Sequence, residues 1–356
     1  MRRVIVDNID KRMTAPLVDY LVKKGYEVHG IGFAGSRPIS NRLASVIEVS
    51  ADDLISDLRS AFSTFSQQDC LIAGNPLIMR AVDEIKPDIR YILPNCESVL
   101  LATDKKRLME LARSLGLKVP GSGDGKYPLV VKLNNSENTA LKPDQRYKIV
   151  NNDKEYEEAL AFFGGNSDNL IVQEYVEGKG FGVSMLLDSD SDLVDFIVHE
   201  RIVEYPVEGG PSAVCMSVYR AELVAAAYRL LRSLKWTGYA MVEFKGDYLI
   251  EVNPRYWGSM PLLFVSGSDF FENYIRILNG RHKKIDADTV SYKLSSKMYF
   301  FPQAYLSMFS LLKAGKAAEA FRILKYIICA REGIFTLRNP VPFFNYLLSL
   351  AGRRIR

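Results

Sequence analysis

The sequence predicts a mixed α/β protein in which an open parallel sheet leads into an α+β region and then a helical tail. Three observations predict it. Short apolar runs alternate with helical stretches up to about residue 100, two acidic strands flank a turn at Gly246-Asp247, and residues 291–356 combine bulky apolar side chains with cations.

The first part runs Val4-Ile-Val, a helix to about Lys24, Glu27-Val-His-Gly-Ile, Ser45-Val-Ile-Glu-Val, a helix from Asp52, Leu71-Ile-Ala, a helix to Ile85, and Tyr91-Ile-Leu. This βαβ series predicts a small doubly wound domain over residues 1–100, with helices on both faces of a parallel sheet. Its opening turn, Asp7-Asn-Ile-Asp-Lys-Arg12, contains no GxGxxG, which argues against dinucleotide binding. Lys105 to Leu115 then reads as a helix ended by Gly116, and Asn151-Asn-Asp-Lys-Glu starts another with acids in its first turn.

The run Met241-Val-Glu243-Phe-Lys245, Gly246-Asp247, Tyr248-Leu-Ile-Glu251-Val-Asn253-Pro-Arg255-Tyr-Trp-Gly258-Ser259 reads as a β-hairpin followed by a loop. A three-residue loop, Gly246 to Tyr248, sets Glu243 opposite Glu251. Met241, Lys245, Leu249 and Asn253 then share their face, and Ala240, Val242, Phe244, Ile250 and Val252 cover the other. A two-residue loop would put the two acids on opposite faces, so the odd loop is the better reading. Directly opposed carboxylates, with Cβ atoms about 5 Å apart, repel unless a cation lies between them. An acidic solvated face is the plain alternative; the amide of Asn253 and the fixed cation of Arg255 favour a metal and a phosphoryl group. Hard oxygen donors without Cys or His select Mg²⁺ or Mn²⁺ over zinc.

Here the chain resembles the ATP-grasp superfamily, and within it the carbamoyl-phosphate-synthase-like and carboxylate–amine ligase-like members, through Glu251-Val-Asn253-Pro-Arg255 after the acidic strand at Glu243. The resemblance implies two α+β subdomains clasping ATP between the doubly wound domain and the helical tail. It assigns Glu243, Glu251 and Asn253 to two magnesium ions, with Mn²⁺ as an alternative, and Arg255 to the transferred phosphoryl group.

Upstream segments follow the family order. Lys126-Tyr-Pro-Leu-Val-Val-Lys132 is an apolar strand whose terminal ammonium could reach an α- or β-phosphate. Leu170-Ile-Val-Gln173-Glu174-Tyr175-Val176-Glu177-Gly178 resembles the adenine-binding connection, which assigns Gln173, Glu174, Tyr175 and Val176 to adenine. Lys105 takes the place of an earlier phosphate-side cation, and the loop around Arg201 and Gly210 that of an acceptor site. His199 reads as a strand residue more readily than as a base. Two departures stand out: Leu133 to Lys142 contains no glycine where the family has a glycine-rich phosphate loop, and Gly180 occupies the place of a ribose-binding acid, a role that could pass to Glu177.

The resemblance divides the rest into a lid subdomain with its linker helix over 101–180, a metal-binding subdomain over 181–285, and the tail over 286–356. It implies an ATP-dependent ligase that activates a substrate carboxylate as an acyl phosphate and couples it to an amine. Attack by another nucleophile, or a nucleotide-binding scaffold without turnover, are the alternatives.

With 25% charged and 48% apolar residues, the composition is that of a globular protein. No run reaches the roughly 18 to 20 apolar residues of a membrane span. Met1-Arg-Arg-Val-Ile-Val enters a strand without a signal-peptide core. Cys70, Cys96, Cys215 and Cys329 are scattered, with no CxxC pair, and read as free buried thiols in a reducing cytoplasm.

From Ser291 to Arg356 there are eleven Lys and Arg against Glu319 and Glu332, a local charge of +9, which leaves −5 for the rest of a chain that totals +4. Tyr305 to Lys313 and Phe343 to Leu350, with Arg353, Arg354 and Arg356 beyond, suit either helices packed on the core with a basic outer face or peripheral contact with an anionic membrane. No nucleic-acid motif accompanies the charge. A homodimer stays open.

Overall fold

Residues 2–123, 126–135, 145–164, 169–205 and 210–352 are described by a computed structural model. The sheet of the first domain is parallel, in the order β3-β2-β1-β4. Its elements are β1 (Arg3–Val6), α1 (Thr14–Lys23), β2 (Glu27–Phe33), β3 (Ser45–Val49), α2 (Leu54–Phe62), β4 (Cys70–Ile72) and α3 (Pro76–Ile85). The period-2 alternation of β1 sends Ile5 to a core with Leu58 of α2 and Val82 of α3, and Val4 and Val6 to a core with Leu17 and Leu21 of α1. Helices therefore cover both faces, as the sequence predicts. Asn75 caps α3 by accepting the Leu77 N–H at 3.0 Å, with Pro76 at the first helical position.

Tyr91-Ile-Leu corrects the expectation of a strand. Only Arg90 bridges to Cys70, and the backbone carbonyls that a ladder would use go elsewhere. Ile92 O accepts from the Tyr274 hydroxyl at 3.2 Å and Leu93 O from the Thr237 hydroxyl at 2.6 Å.

Two helices, α4 (Cys96–Thr103) and α5 (Lys105–Ser114), lead to a three-stranded antiparallel sheet, β6-β5-β7. It comprises β5 (Leu129–Leu133), β6 (Tyr147–Val150) and β7 (Leu170–Glu174), with α6 (Asp153–Phe162) beside it. Val131, Val150, Ala159 and Leu170 form its small core.

A seven-stranded sheet carries the rest. Its first members are β8 (Gly180–Leu187), β9 (Leu193–Glu204) and β10 (Ser212–Val218), followed by α7 (Ala221–Ser233), β11 (Gly238–Lys245) and β12 (Tyr248–Asn253). Helices α8 (Pro261–Val265) and α9 (Phe270–Leu278) precede β13 (Lys297–Tyr299), α10 (Gln303–Lys313), α11 (Ala317–Cys329), β14 (Arg331–Glu332) and α12 (Val341–Gly352). The strands β13 and β14 extend the sheet beyond β10, so the tail begins as part of the same sheet that carries β11 and β12.

Three tyrosines bind this sheet to the first domain. The hydroxyls of Tyr256 and Tyr274 donate to Ile72 O at 2.6 Å and Leu71 O at 2.9 Å, and that of Tyr239 donates to Ala73 O. Each such bond contributes about 1 kcal/mol net, and more would be lost if a buried carbonyl stood unpaired. Gly74 is required there: a Cβ would sit 2.3 Å from the Tyr256 ring.

The tail packs on the core. Tyr346 of α12 shares a cluster with Ala15 and Ile39, Asn339 donates to Asp19 at 3.2 Å and to Asn41 at 2.9 Å, and Asn345 donates to Ile39 O at 3.1 Å. Among the described residues no helix is long and apolar enough to cross a membrane. Arg353, Arg354 and Arg356 lie outside the described residues.

Candidate active site

The register of the acidic hairpin pairs Glu243 with Glu251 and Met241 with Asn253. The way it gets there corrects the expected three-residue loop. Lys245 pairs with Tyr248, so only Gly246 and Asp247 turn the chain, and an extra residue at Ile250 bulges out before Glu251. A bulge shifts the facing of the strand by one position. Leu249 therefore enters the core and Ile250 lines the cleft beside Glu251, the reverse of the parity reading.

Asn253 closes the pair of acids by donating from Nδ2 to Glu243 Oε1 at 3.0 Å and to Glu251 Oε1 at 3.3 Å. The other Glu243 oxygen accepts from Nη2 of Arg201, which stands on β9, two strands away. That reach is possible because β8 lies between them with glycines facing the cleft. A Cβ at Gly180 would meet Arg201 Cδ at 2.9 Å, and one at Gly182 would meet His199 Cε1 at 2.2 Å. Arg201 also lies 3.8 Å from Glu204.

Two lysines join them, one from the smaller sheet and one from a helix. Lys132 is the penultimate residue of β5, buried, and Lys105 begins α5, where its Nζ donates to Asn134 O at 3.2 Å. Asn134 also bonds Asp104 at 3.0 Å and accepts the Lys106 N–H at 2.9 Å, which fixes the start of α5 against the end of β5.

The electrostatics follow from this crowding. Burial pulls the Lys132 ammonium down to about 8, with Lys105 adding to the effect against the opposing pull of Glu251 and Glu243. Burial would raise Glu251, but Lys105, Lys132, Arg255 and Arg201 together hold it below the usual range and keep it ionised. Glu243 is raised, by burial first and by the facing Glu251, against the attraction of Arg201. His199 is pushed down to about 3 by burial and by Arg201, and its Nε2 lies 3.2 Å from Ser259 Oγ. It is neutral near pH 7 and a poor base.

One cleft of about 500 Å³ brings these groups together. Lys105, Lys132, Gln173, Glu174, Tyr175, Val176, Arg201, Gly210, Glu243, Glu251, Asn253 and Arg255 all line it. Glu177 is exposed and outside that lining. Glu174 faces partly elsewhere, since its carboxylate accepts the Gly121 N–H at 2.8 Å. Val130, Met241, Phe244 and Ile250 add apolar lining, and Val130 pairs with Gln173 across the smaller sheet. The glycine-free stretch after Asn135 up to Asp144, and Pro206 to Gly209, lie outside the described residues.

Sequence reasoning missed Arg12, Arg146, Tyr147, Glu204 and Ile250, which also line the cleft. Arg12 had a legible signal: it follows the carboxyl end of the first parallel strand, where open α/β sheets bind ligands. Its guanidinium lies 3.7 Å from the Phe300 ring centroid and donates to Gln303 at 3.0 Å.

The donor set suits a hard divalent cation. Two carboxylates and an amide converge from one hairpin, and turning the Asn253 amide over would present its oxygen in place of the N–H groups it now donates.

The overall fold is similar to those of several solved structures. The structure is similar to biotin carboxylase from Campylobacter jejuni in a β-γ-ATP complex, with a TM-score of 0.61 and 16% identity over 83% of this chain and 74% of that one. It is similar to N5-carboxyaminoimidazole synthetase from Staphylococcus aureus complexed with ADP, at 0.64 and 15% over 83% and 80%. An L-amino acid ligase from Bacillus licheniformis matches at 0.57 and 15% over 81% and 77%. These likenesses show a shared fold. No curated protein matches the chain in sequence. Residues 102–259 match the family model described as an ATP-grasp domain, and Glu243, Glu251 and Asn253 lie towards the carboxyl end of the matched stretch.

Proposed function

We propose that the protein is an ATP-dependent ligase that activates a substrate carboxylate as an acyl phosphate and couples it to an amine, releasing ADP and phosphate. The observation that carries this reading is the convergence of Glu243, Glu251 and Asn253 with Lys105, Lys132, Arg201 and Arg255 in one cleft. Phosphoryl transfer asks mainly for positioning and charge neutralisation, and this set supplies both.

ATP would lie with its base against Val130, Met241, Phe244 and Ile250, beside Gln173 and the backbone of Tyr175 and Val176. Lys105 and Lys132 would face the phosphates. Glu243, Glu251 and Asn253 would hold magnesium, which would supply charge neutralisation to phosphate oxygens. Arg255 would meet charge that builds on the γ-phosphoryl group as a substrate carboxylate oxygen attacks it and ADP leaves. The amine would then attack the acyl carbon and expel phosphate. Arg201 and Gly210 line the cleft near Ser259, which favours this side for the acceptor.

Cys70 and Cys215 are buried free thiols, whereas Cys96 and Cys329 are exposed, which corrects the expectation that all four are buried; the free thiols support a reducing cytoplasm. The proposal is tested by ADP and phosphate release from the purified protein with Mg²⁺ and ATP, screened against amino acids, small dicarboxylates and sugar acids. Stoichiometric release of both products that depends on one carboxylate and one amine supports it. ATP binding without release under every pairing would point to a nucleotide-binding scaffold.

A further inference from the structure

We infer that the surface of α10, α11 and α12 is a docking face for an anionic lipid membrane, a role independent of the chemistry in the cleft. Of thirteen large apolar side chains exposed on the described residues, eight lie between Gln303 and Gly352: Phe309, Leu312, Phe321, Ile328, Leu337, Val341, Phe344 and Leu348. Scattered exposed apolar residues are ordinary, whereas a concentration of them marks an interaction surface.

Their spacing puts them on faces. In α11, Phe321, Lys325 and Ile328 follow i, i+4, i+7, with Phe321 and Ile328 exposed at 68% and 75%. In α12, Val341, Phe344 and Leu348 follow i, i+3, i+7 while Tyr346 turns inward to Ala15 and Ile39. Phe309 and Leu312 are exposed near the end of α10, close in sequence to the exposed Lys313 and Lys316.

Charge selects the partner. Between Gln303 and Gly352 all six cations, Lys313, Lys316, Arg322, Lys325, Arg331 and Arg338, are exposed, and neither acid is. Glu332 is turned inward, accepting the backbone N–H groups of Phe301 and Ile334 at 3.3 and 2.6 Å, and Glu319 is half-buried in the first turn of α11. An outward surface with cations, aromatic and aliphatic side chains and no exposed acid matches a bilayer that offers anionic headgroups over an apolar interior. A second copy of this chain would bring like charge against like.

The experiment is co-sedimentation of the full chain with phosphatidylcholine vesicles, with and without phosphatidylserine, at low and high salt. Wild type should pellet with anionic vesicles only, and less as salt screens the attraction. Lys313→Glu with Lys316→Glu should weaken partitioning more than about tenfold, each basic residue near the surface contributing several-fold. Phe321→Asp with Ile328→Asp should abolish it. All four positions are exposed, so circular dichroism and thermal melts should match wild type. Wild type left in the supernatant with anionic vesicles at low salt would overturn the inference. So would variants that pellet like wild type, or a wild-type dimer that the Phe321 and Ile328 changes split while no vesicle binding is seen.

Discussion

Arg201 and Glu243 sit on strands that are not neighbours, and the guanidinium reaches the carboxylate across the glycines of β8. Both side chains are largely removed from water, at 18% and 14% exposure, so each is the main neutraliser of the other before a metal arrives. Removing Arg201 leaves Glu243 facing Glu251 with only Asn253 between them. Arg201→Gln should cost roughly 2 to 4 kcal/mol in metal-free buffer, as expected for a broken, mostly buried pair. Mg²⁺ should then raise the melting temperature more in the variant than in wild type, because it replaces the lost cation. Equal metal-induced shifts in the two proteins would refute this.

Glu251 is held ionised by four cations and lies opposite Glu243, so its charge matters most when a metal and a nucleotide are bound. Glu251→Gln should lower Mg²⁺-supported ADP release by at least about a hundredfold, near 2.7 kcal/mol of barrier, while the chain stays folded. Steady-state kinetics with a parallel thermal melt decides it. Turnover within about threefold of wild type would remove Glu251 from the site.

Lys132 loses its proton near pH 8, below its ordinary value, because burial opposes the charge. The cation is present below that pH and absent above it. Affinity for a nonhydrolysable ATP analogue in metal-free buffer should therefore fall as pH rises through about 8, and binding near that pH should take up a proton. In Lys132→Ala the affinity should be weaker and the dependence gone. Titration calorimetry in buffers of different ionisation enthalpy reads both, and an unchanged affinity in the variant would sink the assignment.

Gly182 has no room for a side chain against His199. Gly182→Ala should destabilise by about 1 to 3 kcal/mol through overpacking in the middle of the large sheet. His199→Ala should recover part of that loss in the double variant, because the clashing ring is gone. Chemical denaturation of the four proteins in the cycle tests it, and strict additivity would show that the strain lies elsewhere.

The βαβ alternation was enough for the first domain, whereas the period-2 alternation of Met241 to Lys245 and of Tyr248 to Asn253 paired Glu243 with Glu251 only through a three-residue loop that the structure replaces with a two-residue turn and a bulge. Those features are local: facing depends on the pleat, and layer order on alternating strands and helices. The bulge at Ile250 was not legible, because one extra residue leaves the hydrophobic pattern almost intact while it exchanges Leu249 and Ile250 between core and cleft. Tyr91-Ile-Leu has the composition of a strand, yet Tyr274 and Thr237, some 140 to 180 residues away, take its carbonyls. The amphipathic helices of the tail could be read from spacing, but not the docking of α12 on Ile39 or of Asn339, just before it, on Asp19, about 300 residues upstream. Likewise Arg201 was readable as a cation on a strand ahead of a glycine loop, and its bond to Glu243 was not. Sequence periodicity sets which face of an element is apolar; only packing decides which distant face it meets and which polar groups are thereby left to pair.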